Sequence, residues 1–299
     1  MKKKNILIAG ANGLLGKSLV EILSQKNNVF AIVRSKKKLN FKLNKNISVI
    51  EMNLCKINTK ILPKKIDAIY YLAQSNQYKK FPKGIDDVIL INIFAPNILA
   101  KWAIKNKVKK FIYASSGGVY GSSKNPLKES LHIQADKNLG FYLSTKISAE
   151  ILLKNYINKF TSVIIIRPFF IYGIGQKKNR LFSQLISNIK NNKEIKIDGK
   201  DGIKLNPIYA TDAAKALANI LNVKSIFTIN IAGTQTLTLR ELIFMIGDKL
   251  GKKPIIKSIK HIKKGLVADT KLMRKKLFIP KVNLETGINK MLNKFINDK

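Results

Sequence analysis

The chain has 299 residues, 45% of them apolar, enough to bury a sizeable core as one large α/β unit or as a major domain with a smaller one attached. A single cysteine, Cys55, excludes an intrachain disulfide, two isolated histidines, His132 and His261, give no metal-ligand cluster, and a reducing cytoplasm is the expected compartment. The net charge of +39 is nearly all lysine spread along the chain, beside abundant Asn and Ile, which fits A/T-rich codon usage better than an arginine-bearing nucleic-acid groove, so no nucleic-acid partner is expected.

Lys2-Lys3-Lys4 ahead of Ile6-Leu7-Ile8-Ala9 imitates the start of a signal peptide, but the apolar run breaks at Gly10 and Asn12. It reads instead as a first strand, Asn5 to Ala9, running into a turn. Leu14 to Lys26 follows as a helix with Leu15, Leu19, Ile22 and Leu23 on one face. Further strands are predicted at Val29 to Val33, Ile47 to Met52, Ala68 to Ala73 and Lys110 to Ser115. Val88 to Asn106 has helical periodicity that Pro96 bends or shortens. A long helix from Tyr142 to Lys159 leads into a sixth strand, Val163 to Arg167. The longest apolar run, Val163 to Gly175, contains Arg167 and Pro168 and falls short of the ~18 to 20 residues of a membrane helix, so no membrane partner is expected. Beyond Pro168 helices are predicted near Arg180 to Asn191, from Thr211-Asp212, at Leu239 to Gly251 and at Leu284 to Ile296, and Phe227 to Ile231 reads as a late strand. Strands alternating with helices predict a doubly wound parallel sheet whose ligand site lies at the strands' carboxyl ends.

Gly10, Gly13 and Gly16 stand between the first strand and the first helix. Missing side chains there permit a tight turn, close approach of backbone to a pyrophosphate and close helix packing, with the helix amino terminus facing the phosphates. Residues 1–170 are therefore expected to form a dinucleotide-binding domain of Rossmann type. Residues 171–299 form a smaller substrate lobe, with segments around 205–232 returning to the first domain. After the second strand the chain reads Val33-Arg34-Ser35-Lys36, with Arg34 where an acid would select NAD, so the reading leans to NADP over NAD.

Tyr142 and Lys146 lie four residues apart on one helix face. A lysine ammonium beside a phenol lowers its pKa from about 10 towards neutrality and makes Tyr142 a usable general acid or base. Ser116, after the fifth strand, is placed to hydrogen-bond the reacting oxygen.

Taken together, Gly10-x-x-Gly13-x-x-Gly16, the Ser115-Ser116-Gly-Gly-Val-Tyr120-Gly121 segment and Tyr142-x-x-x-Lys146 resemble the extended short-chain dehydrogenase/reductase family, the NAD(P)-dependent epimerases, dehydratases and reductases of nucleotide sugars. The resemblance extends through Leu72-Ala73-Gln74, through Arg167-Pro168-Phe169-Phe170-Ile171-Tyr172-Gly173 and through Asn206-Pro207-Ile208-Tyr209 with Asp212. It implies that Ser116, Tyr142 and Lys146 are catalytic, and that Lys146 also holds the nicotinamide ribose. It further assigns Leu14, Leu15, Leu72, Ala73, Gln74, Asn92 and Phe169 to the cofactor side, and Asn53-Leu54 to the place where the family has Asp-Leu beside the adenine. No metal is implied. Two departures bear on substrate: Phe170 stands where many members carry Asn, and Ile203-Lys204-Leu205-Asn206 lacks a common phosphate-binding arginine, for which Lys204 or Arg180 are the substitutes. The dehydratase pattern Thr-Asp-Glu reads Ser116-Gly117-Gly118. The resemblance thus implies an epimerase or 4-keto reductase acting by hydride transfer on a sugar nucleotide, in surface-polysaccharide synthesis, and a homodimer through the two long helices. The competing reading is a non-catalytic, redox-sensing dinucleotide-binding protein of the same fold.

Overall fold

The computed structural model describes residues 2–133, 139–156, 159, 162–223, 227–259 and 265–297, so that His261 and part of the expected Tyr142 to Lys159 helix lie outside the described residues. The chain runs through Asn5–Ala9 (β1), Leu14–Leu23 (α1), Asn28–Val33 (β2), Ile47–Glu51 (β3), Ala68–Tyr71 (β4), Ile85–Ile89 (α2), a π turn at Leu90–Phe94, Ala95–Lys105 (α3), Lys110–Ala114 (β5), Gly140–Lys154 (α4) and Ser162–Pro168 (β6). It continues through Ile171–Tyr172 (β7), Leu181–Lys190 (α5), Ile195–Asp198 (β8), Lys204–Leu205 (β9), Ile208–Tyr209 (β10), Ala210–Asn219 (α6), Phe227–Ile231 (β11), Leu237–Thr238 (β12), Leu239–Leu250 (α7), Ile256–Ile259 (β13), Lys271–Lys276 (α8) and Leu284–Asn297 (α9).

Seven parallel strands form the central sheet in the order β11-β6-β5-β4-β1-β2-β3. The chain winds outward from β1 in one direction and returns to wind outward from β4 in the other. Connections on either side of that pair therefore diverge and leave a crevice at its carboxyl end. The register Ala9↔Ile32 and Ala9↔Tyr71 delivers Gly10 beside Leu72-Ala73 and next to the end of β2. Apart from the edge strand β3, the strands are buried on both faces, which is why they read as continuous apolar runs. Ile6, Ile8, Ala31, Tyr70, Ile112 and Ile164 pack towards α1, α6 and α8; Leu7, Ile32, Tyr71, Phe111, Tyr113 and Val163 pack towards α3 and α4.

Pro96 does not shorten the helix it sits in, which runs on to Lys105. Instead the helix widens ahead of it: the Ala95 amide bonds to the Leu90 carbonyl, five residues back, and Pro96 offers no N–H to the turn before it. The Ile91 and Asn92 carbonyls freed in this way accept the hydroxyls of two buried sheet tyrosines, Tyr71 and Tyr113. The helical run Ile85–Lys105, and not Val163 to Gly175, is the stretch long and apolar enough, by length and composition, to cross a membrane, at 21 residues, among the described residues. In the structure it covers one face of the sheet, burying Val88, Ile91, Ala95, Leu99, Ala100 and Ala103.

Beyond β6 a third core forms around Tyr172, Phe182, Ile186, Ile197, Leu242 and Ile288. Two segments leave this lobe to complete the first unit. The first is α6 with β11, which pairs with β6 through Phe227↔Ile164 to Ile231↔Pro168. The second, without counterpart in the sequence expectation, is α8, whose Met273 and neighbouring Leu277 join the sheet's core.

Candidate active site

A cavity of about 870 Å³ opens at the carboxyl ends of β1, β2, β4 and β5 and extends to the loop after β6. Its size falls in the upper part of the range for ligand sites. One wall is the glycine turn. Gly10 has φ +87°, and a Cβ there would stand 2.7 Å from the Ala73 amide nitrogen; a Cβ on Gly16 would stand 2.2 Å from the Gly10 carbonyl oxygen. Only glycine lets the turn, β4's exit and α1 approach so closely. Gly13 is the N-cap of α1 and has no side chain to cap it, and the first turn carries no acid. The leading amides of α1, at Leu14, Leu15 and Gly16, thus have no intrahelical acceptor, and all three residues line the cavity. This is the donor set and the field that a pyrophosphate needs, so the residues fit a dinucleotide.

Arg34 lies exposed at the end of β2 and lines the same cavity, as do Leu54, Leu72, Ala73, Gln74 and Phe169. Asn53 does not: its side-chain oxygen accepts from the Cys55 amide and caps a 3₁₀ turn. Asn92 does not reach the wall either. It is fully buried, its Oδ1 accepting from the Ser75 amide at 3.1 Å and its Nδ2 donating to Thr145 Oγ1 at 3.0 Å. Thr145 Oγ1 in turn donates to the Tyr142 carbonyl at 2.7 Å. Asn92 therefore ties the loop after β4 to the helix that carries Tyr142 and Lys146, a positioning part in place of direct cofactor contact.

Ser116, Tyr142 and Lys146 all line the cavity, beside the glycine wall. Tyr142 donates its hydroxyl to Gln74 Oε1 at 2.8 Å, and its ring stacks on Tyr78 with centroids 4.4 Å apart. Lys146, 1% exposed, donates to the Ala114 carbonyl at 2.9 Å and sits 5.1 Å above the Tyr113 ring. The expected depression of the tyrosine is absent here. Burial first, and Tyr78 second, push the Tyr142 phenol up to about 12, while Arg180 and a hydrogen bond with Ser116 act the other way. The physical reason is where the ammonium points, at a backbone carbonyl and not at the phenol. Burial also pulls Lys146 down to about 7, with Glu150 opposing.

Of the two substitutes for the missing arginine, Arg180 lines the cavity and hydrogen-bonds the Tyr78 hydroxyl at 3.2 Å, whereas Lys204 is exposed in β9 and stands outside it. Asn206 is structural, donating to the Gly233 and Ala268 carbonyls. Phe170 faces the cavity with φ +39°, a left-handed backbone that asparagine adopts more readily than an aromatic residue. Tyr78 carried no sequence signal, lying in a polar loop without period. Among the described residues no group of three or more His, Cys, Asp and Glu side chains comes together.

Fold and site together define a dinucleotide-using α/β enzyme with a tyrosine–lysine pair at the reaction end of its cavity. The family model for the NAD dependent epimerase/dehydratase family matches residues 6–232. The chain is 28% identical over 310 residues to dTDP-4-dehydro-6-deoxyglucose reductase of Escherichia coli, with 97% of each chain covered. Among solved structures, it superposes on the UDP-N-acetylglucosamine 4-epimerase of Methanobrevibacter ruminantium M1, in complex with UDP-N-acetylmuramic acid, with a TM-score of 0.88 at 25% identity, covering 100% of both chains. The UDP-glucuronic acid 4-epimerase of Bacillus cereus, in complex with UDP-glucuronic acid and NAD, shares the fold with a TM-score of 0.86 at 23% identity, over 99% of this chain and 100% of that one. This chain belongs to the NAD-dependent epimerase/dehydratase family.

Proposed function

We propose that the protein is a sugar-nucleotide epimerase or 4-keto reductase that works by hydride transfer. The observation that carries this reading is the convergence of Ser116, Tyr142 and Lys146 on the cavity whose other wall is the uncapped amino terminus of α1. The amides of that helix and Lys146 would hold a nicotinamide dinucleotide, which supplies the hydride acceptor and donor. Arg34 at the adenosine end, with no acid at the end of β2, favours NADP(H) there. The remaining steps belong to the chain's own side chains. Tyr142 gives or takes the substrate hydroxyl proton, and the Ser116 hydroxyl binds the oxygen on which charge develops. Gln74 holds the Tyr142 hydroxyl until substrate displaces it. The Lys146 ammonium, wherever it turns from the Ala114 carbonyl towards the cavity, favours the phenolate. Phe170 presents an aromatic face, in place of an amide, to the substrate end.

Mass analysis of nucleotide released from denatured protein tests the reading, followed by titration of the emptied protein with NADPH and NADH. Retained NAD supports an epimerase that returns the hydride to its own substrate and overturns the part given to Arg34. Tighter binding of NADPH than NADH supports a reductase. Affinity for neither sinks the enzyme reading in favour of a fold that has lost its chemistry.

A second copy of the chain is proposed to dock on the adjoining outer faces of α3 and α4, where Phe94, Ile98, Ile151 and Leu152 are 43 to 56% exposed. Light scattering after gel filtration is expected to give a two-chain mass for the wild type and a one-chain mass for Ile151→Glu. A monomeric wild type at micromolar concentration removes the proposal.

A further inference from the structure

Three charged groups lie in the dry wall behind the cavity, and the chemistry above uses only one of them. Glu150 is 1% exposed and Arg167 is 2% exposed. The guanidinium meets the carboxylate as a fork, Nε to Oε1 at 3.1 Å and Nη2 to Oε2 at 2.6 Å. The arginine's other face lies 4.6 Å over the Tyr120 ring, whose hydroxyl is anchored on Asn230 at 2.9 Å. This pair spans α4 and β6 and fixes Glu150 in place.

Glu150 follows Lys146 by one helical turn, as Lys146 follows Tyr142, so the three share a face of α4. Lys146 is as buried as Glu150. The groups facing it are the Tyr113 ring and the Ala114 carbonyl from β5, and Glu150 from its own helix. Those facing Glu150 are Lys146, Arg167 on β6, Tyr120 after β5 and Tyr113. Among these, the single carboxylate within reach of the ammonium is Glu150. A buried ammonium whose hydrogen-bond acceptor is one neutral carbonyl loses its proton readily, because desolvation penalises the charged form.

We propose that Glu150, clamped by Arg167, is a positioning residue for the reaction: its carboxylate keeps the Lys146 ammonium charged in a water-poor wall, so that the lysine meets cofactor and Tyr142 as a cation. The arginine supplies geometry and stops the carboxylate from turning onto Lys146 as a direct ion pair, which would withdraw the lysine from the cavity. This inference rests on the enzyme reading above.

The test is the pH dependence of dinucleotide binding, followed by cofactor fluorescence from about pH 6 to pH 9 with whichever of NADH and NADPH the wild type binds more tightly. Affinity is expected to fall several-fold as pH rises through the Lys146 titration, because a charge-assisted hydrogen bond is replaced by a neutral one. In Glu150→Gln the lysine loses its stabilising charge, its pKa drops, and the midpoint of the fall moves about one pH unit towards acid. Glu150→Asp keeps the charge and is expected to keep the midpoint near the wild-type value, which a purely structural role would not do. If Glu150→Gln fails to fold with Arg167 unpaired, the neutral pair Glu150→Gln with Arg167→Gln is read in its place, with an acid shift of the same sign but smaller expected, because the repulsion from Arg167 is lost with the attraction of Glu150. A variant midpoint equal to that of the wild type, or wild-type binding that is flat with pH, overturns the proposal while leaving the enzyme reading intact. A wild type that binds neither dinucleotide at any pH overturns both.

Discussion

Replacing Tyr142 by Phe is expected to lower turnover by about 10²- to 10⁴-fold, the usual contribution of a positioned general acid or base. Dinucleotide affinity should stay within about threefold of wild type, a change of less than ~1 kcal/mol. The substitution removes one hydroxyl and leaves the ring, whose stacking on Tyr78 at 4.4 Å keeps the side chain in place. What is lost in the resting protein is the hydroxyl's 2.8 Å hydrogen bond to Gln74 together with its bond with Ser116, each worth about 1 kcal/mol of stability. The pH behaviour follows from the two groups' opposite displacements. With the phenol pushed up to about 12, Tyr142 is protonated in the free protein at neutral pH and stands ready as an acid; as a base it depends on nearby positive charge. Arg180 already acts in that sense, and the proposed mechanism adds Lys146, pulled down to about 7, once it turns towards the cavity, so activity in the direction that needs the base is expected to decline as pH rises through the lysine's titration. Single-turnover measurements on the wild type and Tyr142→Phe, with circular dichroism as the check on folding, decide the matter. Turnover of the Phe variant within threefold of wild type would remove Tyr142 from the chemistry.

Gly10→Ala is expected to destabilise the fold by about 3 kcal/mol and to abolish dinucleotide binding. Two costs combine. The φ of +87° puts any L side chain in the left-handed region, at roughly 1 to 2 kcal/mol. The new methyl would also stand 2.7 Å from the Ala73 amide nitrogen and 2.9 Å from the Leu72 carbonyl carbon, backbone atoms that cannot swing aside, so β4's exit must shift at an overpacking cost of about 1 to 3 kcal/mol. The same shift displaces the cavity wall formed by Leu72 and Ala73. Gly251→Ala is the built-in control, with φ +61° in the left-handed region and nothing within 4 Å of the added Cβ, and should show the backbone cost alone. Urea midpoints at constant m-value measure both. Equal losses in the two variants would mean that the close approach at Ala73 is not what requires glycine.

Much of the architecture was legible because buried parallel strands leave a strong trace: Asn5–Ala9 and Phe227–Ile231 match their expected bounds, and the other sheet strands differ by a residue or two at the ends. The two-residue strands β7, β9, β10 and β12 are too short to carry a period, and they went unseen. Ser116, Tyr142, Lys146 and the glycine wall were legible from their spacing together with the family resemblance, and the structure gathers them on one cavity. Asn92 was legible through the family resemblance, yet its direction could not be read, because that depends on the π turn that rotates the helix ahead of Pro96. The sign of the tyrosine shift was misjudged for a related reason. Spacing places Lys146 on Tyr142's face, but the carbonyl that holds its ammonium comes from a strand some thirty residues earlier.

The two returns of the chain to its first unit have a consequence for biosynthesis. The edge of β6 stays open until Phe227–Ile231 emerges, and the apolar floor around Ile164 and Ile229 stays uncovered until Met273 and Leu277 arrive. A ribosome must therefore deliver nearly the whole polypeptide before the nucleotide-binding half can close. Until then the growing chain presents an unpaired strand edge, the feature through which nascent α/β proteins stick to one another and call on chaperones.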